Sequence, residues 1–219
     1  MAKPRSADLT ERLPEVIPVF PLSGALLLPR GRLPLNVFEP RYLAMVDTAL
    51  AGDRIIGIIQ PEADARDGPT PPLRTVGCAG RLSSFSETED GRYLIALTGI
   101  CRFSVLEEID TDASFRLCRV TAEPFSGDFF VSGENDVDRE ALLQTFRAYL
   151  EANDLEADWD NVGSASNESL VNAMAMVAPY GPAEKQALLE APDLKTRAET
   201  LVALAEVTLE HEASGRRLQ

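Results

Sequence analysis

The sequence predicts an α+β protein in which a β-barrel over residues 14–124 precedes an α-helical part over residues 125–213. Up to residue 124, short apolar segments follow one another closely, with turn residues between them and one helical segment. This spacing is typical of a barrel rather than of a parallel sheet. After Pro124 the apolar residues recur with the spacing of a helix instead. Strands followed by helices in this way define the α+β class.

Seven apolar segments of the barrel part are predicted to be strands. They are residues 16–20, 33–37, 54–60, 76–85, 92–98, 102–109 and 115–122. Asp90 and Gly91 predict a tight hairpin, because such turns need residues that tolerate positive φ. Gly99 allows a bend between the fifth and sixth segments. Residues 61–73 contain four prolines and are predicted to be a loop.

A helix is predicted to begin at Pro40, since proline suits the first helical position. Its apolar face is given by four residues with helical spacing: Tyr42, Met45, Val46 and Ala49. Four further helices are predicted after residue 124. Their apolar faces or bounds are Leu142, Phe146 and Leu150; Leu170, Ala173, Met174 and Val177; residues 182–191; and Leu194, Ala198, Leu201 and Ala205. Ser166 and Asp193 are predicted to cap the second and the fourth of these helices.

The charge of the chain disfavours a nucleic-acid partner. There are 35 acidic and 21 lysine or arginine residues, which gives a net charge of −14. Binding to phosphates needs the opposite sign. No apolar run is long enough to cross a membrane, and the first residues lack the apolar core of a signal peptide. We therefore expect a cytoplasmic protein with neither a membrane nor a nucleic-acid partner.

Few residues could support catalysis or bind a metal. Cys78, Cys101 and Cys118 are far apart and are predicted to be core residues, and the single histidine, His211, lies near the C-terminus. Four acidic residues could bind a hard cation but are interpreted as solvated: Glu107, Glu108, Asp110 and Asp112. No nucleophile and base stand at a recognisable spacing. The sequence thus predicts no enzyme, no catalytic residue, no metal and no cofactor.

Several motifs, in their order along the chain, resemble the N-terminal substrate-binding domain of the Lon protease family. They are Phe20-Pro21-Leu22, Leu33-Pro34-Leu35, Phe38-Glu39-Pro40-Arg41-Tyr42, Asp90-Gly91-Arg92-Tyr93, Gly99-Ile100-Cys101-Arg102-Phe103 and the run from Pro182 to Leu189. Phe38 to Tyr42 is the most specific of them, and it is typical of short, stand-alone bacterial members. The resemblance extends over roughly residues 16–209.

The resemblance implies a PUA-like pseudo-barrel packed on a C-terminal helical bundle. It also implies recognition of unfolded polypeptide, which full-length Lon proteases perform with this domain. The ATPase and protease activities are not implied, because no GxxxxGK[ST] phosphate loop is present. The lysines needed for a Ser-Lys dyad are also missing, since Lys3, Lys185 and Lys195 lie outside any matching protease segment.

The leading hypothesis is a non-catalytic module that binds unfolded or extended polypeptide, with a separate protease as a further candidate partner. The alternative is a small-molecule sensor. Five residues are candidates for contact with polypeptide: Glu39, Arg41, Tyr42, Phe85 and Tyr93. Glu39 and Arg41 could instead be structural, with Glu39 capping the helix and Arg41 pairing with a carboxylate. Phe38 is interpreted as a core residue, and Phe85, beside the hairpin loop, as the more plausible contact.

Overall fold

The computed structural model describes residues 13–62, 71–152 and 159–216. By its contacts the chain divides into two compact units, one built on strands and one on helices. The strand unit comprises the described residues up to 130 together with residues 180–189. The helical unit comprises the described residues of 131–179 and those from 190 onward.

The strands of the strand unit lie close to the predicted ones. They are β1 Val16–Pro21, β2 Arg32–Val37, β3 Ile55–Pro61, β4 Leu73–Glu87, β5 Tyr93–Ile109 and β6 Arg116–Thr121. Most of the predicted loop over residues 61–73 falls on residues 63–70, which lie outside the described residues. Its two ends pair instead, because Pro61 of β3 lies opposite Leu73 of β4.

The sheet is largely closed on itself. Its strand order is β2-β5-β4-β3-β1-β6, and β5 also pairs with β6, so that five strands form a ring. β1 and β3 run parallel, and the other pairs are antiparallel. β2 lies outside the ring, against the first half of β5. The predicted α+β class with a barrel-like sheet is confirmed.

One long strand takes the place of two predicted ones. The sequence divides residues 92–109 at Gly99, whereas β5 runs through this position as 17 residues. The backbone N–H of Gly99 donates to the carbonyl of Gly31 at 2.8 Å, and its carbonyl accepts from Arg30 at 2.8 Å. The pairing with β4 shifts register beside Gly99. The glycine bends the strand, and the two halves of β5 pair with β2 and β6 respectively.

The barrel core surrounds Phe103, which is fully buried. Ten buried residues form this core: Ile17, Val19, Ile55, Ile59, Ala79, Cys101, Phe103, Cys118, Val120 and Ala122. A Cβ atom on Gly57 would lie 2.9 Å from the Phe103 ring, and one on Gly77 would lie 2.5 Å from it. The two glycines therefore leave the space that the ring fills.

The described residues contain six α-helices. They are α1 Pro40–Ala51, α2 Arg139–Ala152, α3 Trp159–Ser164, α4 Asn167–Val177, α5 Pro182–Glu190 and α6 Leu194–Arg216. The predicted buried face of α1 is confirmed residue by residue. The same holds for the four predicted positions of α6. The α3 helix was not predicted. No helix of the described residues is long and apolar enough to span a membrane.

The predicted face of α4 is only partly confirmed: Leu170 is buried, Met174 is half-buried, and Ala173 and Val177 are exposed. The predicted cap of α4 is confirmed. The Ser166 hydroxyl accepts from the backbone N–H of Ser169 at 3.1 Å, as expected of a helix cap. The residues that α4 buries are Leu170, Val171, Asn172 and Ala175. Val177 is 83% exposed. The apolar spacing favoured a face that leads to Val177, whereas the buried face of α4 includes the polar Asn172.

The α5 helix packs within the strand unit, although the sequence assigned it to the helical part over residues 125–213. Buried Gln60 of β3 donates to the carbonyl of Pro182 at 2.9 Å and to the Gln186 side chain at 3.3 Å. Gln186 donates in turn to the carbonyl of Val76 in β4 at 3.2 Å. The predicted domain bounds stay a prediction, but these amide contacts join α5 to the sheet.

A buried ion pair joins β5 to the turn that follows β6. Asp128 lies in a 3₁₀ segment over Glu123–Phe129 and accepts from Arg102 through both carboxylate oxygens, at 2.9 and 2.7 Å. The backbone N–H of Arg102 also donates to Asp128, at 2.9 Å. Arg102 further donates to the carbonyl of Leu189 in α5 at 3.2 Å and lies over the Phe125 ring. This arginine therefore connects the sheet, the 3₁₀ segment and α5.

In the helical unit, α2 and α4 both pack on α6. Glu134 stabilises the start of α4, because its carboxylate accepts from the backbone N–H groups of Asn167 and Glu168 at 2.8 and 2.9 Å. A carboxylate here also interacts favourably with the helix dipole. Asp193 accepts from Thr196 at 2.8 Å and caps α6 as predicted.

Candidate functional site

All five candidate residues lie in a part of the strand unit that we call the hairpin end. It comprises the end of β2, the turn between β4 and β5 with its flanking residues, and the first turn of α1. The N–H of Gly91 donates to the carbonyl of Thr88 at 2.9 Å, and Gly91 has φ of 78°. The tight hairpin predicted from Asp90 and Gly91 is confirmed.

Glu39 and Arg41 form an ion pair at the start of α1. Their side chains approach to 2.8 Å, and both are about half exposed. Glu39 occupies the N-cap position of α1, as interpreted, but its side chain makes no cap hydrogen bond to the helix. Pro40 at the first helical position already lacks an N–H, and the Glu39 carboxylate turns to Arg41 instead. The predicted pairing of Arg41 with a carboxylate is confirmed.

Tyr42 is a core residue with one accessible side. It is 8% exposed, and its ring lies 4.1 Å from that of Phe20. Burial raises the pKa of Tyr42, and the neighbouring Arg41 opposes this rise. The Arg41 guanidinium lies 4.5 Å from the centre of the Tyr42 ring. Tyr42 is therefore covered by the protein's own arginine, and its role as a polypeptide contact stays a prediction.

Phe85, which is exposed, and Tyr93, which is half-buried, form an aromatic pair at the hairpin end. Their rings meet edge to face at 4.9 Å, and Phe85 is 39% exposed. The Tyr93 hydroxyl donates to the Asp47 carboxylate of α1 at 3.1 Å. This hydrogen bond, with smaller effects of burial and of the negative charges of Asp47 and Glu87, raises the pKa of Tyr93. The structure thus brings Phe85, Tyr93 and α1 together.

Phe38 was interpreted as a core residue, and this is wrong: it is 62% exposed. Burial alternates along β2, where Leu33 and Leu35 are half-buried, Val37 is buried, and the residues between them are exposed. Phe38 follows Val37 and so points outward. Sequence reasoning could have found this, because period-two alternation from Leu33 already assigns Phe38 to the outer side. Leu94, which is 45% exposed, was also missed.

The β2 strand has an open edge among the described strands, because it pairs with β5 alone. Gly31 directs its carbonyl to β5, where it accepts from Gly99. In an antiparallel pair the backbone N–H and C=O groups of successive residues point alternately to one neighbour and to the other. Counted from Gly31, the backbone groups of Leu33 and Leu35 point to β5. Those of Arg32, Pro34 and Asn36 point to the open edge. Pro34, which has no N–H, suits an outward position on an edge strand.

The hairpin end carries an excess of negative charge. Five carboxylates lie on it or on the facing side of α1: Glu39, Asp47, Glu87, Glu89 and Asp90. Two guanidiniums accompany them. Arg41 pairs with Glu39, and Arg92 pairs with Asp90 at 2.9 Å. The carboxylates of the hairpin end therefore outnumber its arginines by three.

The three cysteines are all fully buried, so their predicted role as core residues is confirmed. Burial, with a further effect of Asp128, raises the pKa of Cys101 to about 12. Burial raises the pKa of Cys118 to about 11. A thiol reacts as its thiolate, so both are poor nucleophiles at neutral pH.

We expect the native protein to resist thiol reagents. At pH 8 the three cysteines should react with Ellman's reagent only as the protein unfolds, because all three side chains are buried and the raised pKa of Cys101 and of Cys118 keeps these two thiols protonated. The measurement compares the labelling rate in buffer with that in denaturing urea, where all three should react at once. Fast labelling of one thiol in the native protein would contradict the burial of these side chains.

Two of the candidate hard-cation ligands are engaged by arginines. Glu108 binds Arg116 with both carboxylate oxygens, and Glu107 binds Arg119 at 2.8 Å. Within residues 13–62, 71–152 and the described part beyond 159, no group of three or more His, Cys, Asp or Glu residues is placed to hold a metal ion. The side chain of His211 lies outside what the structure describes.

Comparison with known proteins identifies the family. The model of the ATP-dependent protease La (LON) substrate-binding domain matches residues 16–206. Lon protease 2 of Myxococcus xanthus is 29% identical over 202 residues, which are 89% of this chain and 24% of that protein. A Lon protease of Anaeromyxobacter dehalogenans is 27% identical over 202 residues, which are 89% of this chain and 23% of that protein. The chain thus spans about a quarter of the length of these relatives.

Two solved structures share the fold. A Lon N-terminal domain protein from Xanthomonas campestris superposes with a TM-score of 0.60 at 22% identity, covering 86% of this chain and 97% of that one. The N-terminal domain of a Mycobacterium avium complex Lon protease gives 0.58 at 17% identity, covering 87% and 98%. The combination of barrel strands with C-terminal helices is therefore also found in these two solved structures. This chain belongs to the Lon substrate-binding domain family, as its motifs indicated.

Proposed function

We propose that this protein binds extended or partly unfolded polypeptide at the hairpin end and catalyses no reaction of its own. The observation that carries the proposal is the exposed ring of Phe38 at the end of β2, beside the open edge of that strand. Phe85 is also exposed and lies two strands away, on β4. Membership of a substrate-binding family supports a recognition role. The small-molecule sensor stays an alternative prediction, which no contact of the hairpin end favours.

The mechanism combines backbone pairing with apolar contact. An extended client would add a strand to β2, using the backbone groups that Arg32 and Asn36 direct to the open edge. Pro34 lies between them and has a carbonyl but no N–H, so the client would form its hydrogen bonds mainly with Arg32 and Asn36. Side chains of the client would then cover Phe38 at the end of β2. Such binding is expected to be weak, because a flexible client loses conformational freedom.

Removal of the exposed aromatic rings should weaken polypeptide binding. We expect Phe38→Ala and Phe85→Ala each to raise the Kd for a fluorescent, reduced and alkylated unfolded protein about fivefold, because exposed ring area is no longer covered on binding. The measurement is fluorescence anisotropy, with circular dichroism to check that each variant is folded. Phe130→Ala is the matched control, since Phe130 is 49% exposed and lies outside the hairpin end.

The outcomes separate the parts of the proposal. No saturable binding by the unaltered protein up to high micromolar concentration would overturn polypeptide recognition. Equal loss in Phe38→Ala, Phe85→Ala and Phe130→Ala would overturn its location. A client with alternate N-methylated amides should bind more weakly than the unmodified one, because it cannot complete a strand on β2. Hydrolysis of the client or of ATP by pure protein would contradict the non-catalytic part.

A further inference from the structure

We propose that the hairpin end has a specific subsite for a basic side chain of the client, formed by the Phe85 ring, Glu87 and Asp47. This inference rests on the proposed function and specifies the chemistry of the segment that is recognised: an extended apolar stretch with a lysine or arginine in it. The argument comes from two arrangements that the protein makes with its own arginines.

Twice in this region a guanidinium lies over an aromatic ring while a carboxylate holds it there. Arg92 lies 5.8 Å from the centre of the Phe38 ring and pairs with Asp90 at 2.9 Å. Arg41 lies 4.5 Å from the centre of the Tyr42 ring and pairs with Glu39 at 2.8 Å. Each arrangement combines a cation–π contact with an ion pair.

Phe85 and Glu87 supply the ring and the carboxylate of a third such arrangement. Glu87 lies directly opposite Tyr93 in the β4–β5 pairing, and Phe85 lies opposite Ile95, so Phe85 and Glu87 share one face of β4. The Phe85 ring meets the Tyr93 ring at 4.9 Å. In the part of the chain that the structure describes, no guanidinium or ammonium pairs with Glu87 or lies over Phe85.

A second carboxylate faces the same rings from α1. Asp47 accepts the Tyr93 hydroxyl at 3.1 Å through one of its two carboxylate oxygens. Glu87 lies opposite Tyr93 in the β4–β5 pairing, and Asp47 accepts the Tyr93 hydroxyl, so both carboxylates lie beside this residue. A cation over Phe85 would thus have negative charge on two sides. Phe85 and Glu87 are exposed, so a long side chain from a client can reach them.

The test compares two peptides that differ by one charge. A short fluorescent peptide of alternating valine and serine with one central arginine is compared with the same peptide carrying citrulline, which keeps the shape but not the charge. We expect the arginine peptide to bind about three- to tenfold more tightly, as a cation–π contact and an exposed ion pair allow. The preference should fall to near onefold in Glu87→Gln.

The control variant is Glu62→Gln, which makes the same change in net charge. Glu62 is exposed and follows β3, whose last residue pairs with Leu73 at the opposite end of β4 from Glu87. The arginine preference should be unchanged in Glu62→Gln. A preference that persists in Glu87→Gln, or that falls equally in Glu62→Gln, overturns the subsite.

Failure of the subsite and failure of the proposed function give different results. If the two peptides bind the unaltered protein equally, the subsite is overturned while polypeptide binding stands. If neither peptide nor the unfolded protein binds, both proposals are overturned. Glu87→Gln alters an exposed side chain, and a circular dichroism spectrum like that of the unaltered protein checks its fold.

Discussion

Asp128→Ala should destabilise the strand unit by about 3–5 kcal/mol, because it leaves the Arg102 guanidinium buried without its carboxylate. Both side chains are at most a tenth exposed. The substitution also removes the acceptor of the Arg102 backbone N–H. The measurement is urea denaturation followed by far-ultraviolet circular dichroism. The single tryptophan, Trp159, reports on the helical unit, so its fluorescence follows that unit separately.

Two further variants identify the cause of this loss. Asp90→Ala breaks the exposed pair with Arg92, whose side chains are more than half exposed, and should cost less than about 1 kcal/mol. The double variant Arg102→Met with Asp128→Leu should recover much of the stability lost in Asp128→Ala, because no unpaired charge remains buried. If the double variant is as unstable as Asp128→Ala, then the backbone contact of Asp128, rather than the charge, holds the 3₁₀ segment.

The sequence predicted those parts of the fold in which local pattern and tertiary packing agree. In α1, the apolar spacing, the proline at its start and the burial of Tyr42, Met45, Val46 and Ala49 all agree. The hairpin at Asp90 and Gly91 has a local cause in the positive φ of Gly91. The α6 helix has a local cap in Asp193 and one continuous buried stripe. Each of these elements is determined by residues near one another in sequence.

The sequence could not reveal features that depend on partners distant in the chain. The α5 helix looks like its helical neighbours, and its position in the strand unit follows from Gln60, which is more than a hundred residues away. The burial of Asn172 in α4 likewise depends on tertiary packing, which overrides the apolar spacing. Arg102 belongs to the motif from Gly99 to Phe103, but its carboxylate partner lies 26 residues further along.

The candidate site was predictable in part. Phe85 is a candidate because it lies beside the hairpin loop and Tyr93 because it is aromatic, and the structure brings the two rings together. Their link to α1 through Asp47 spans 46 residues and has no local signal. Phe38 was assigned to the core because it is aromatic. The alternation of burial along β2 assigns it correctly to the exposed side. Whether these residues bind polypeptide stays a prediction.

Gly99→Ala should be among the most damaging single substitutions in the barrel, with an expected loss of about 3 kcal/mol in the free energy of unfolding. A Cβ atom at this position would lie 2.0 Å from the carbonyl oxygen of Leu28 and 2.8 Å from its carbonyl carbon. These are backbone atoms, so no side-chain rotation relieves the clash. The segment before β2 would have to move away, and with it the hydrogen bonds of Gly99 to Arg30 and Gly31.

Gly127→Ala is the matched control, because a Cβ atom on Gly127 meets nothing within 4 Å and Gly127 belongs to the same unit. It should change stability by less than about 1 kcal/mol in the same urea titration.

Gly99 also places β2 beside β5, so a folded Gly99→Ala protein should bind unfolded polypeptide more weakly as the open edge of β2 is displaced. If the free energy of unfolding of Gly99→Ala were unchanged, the segment before β2 would be able to move without loss of stability. This would contradict the inference that close packing at Gly99 bends β5.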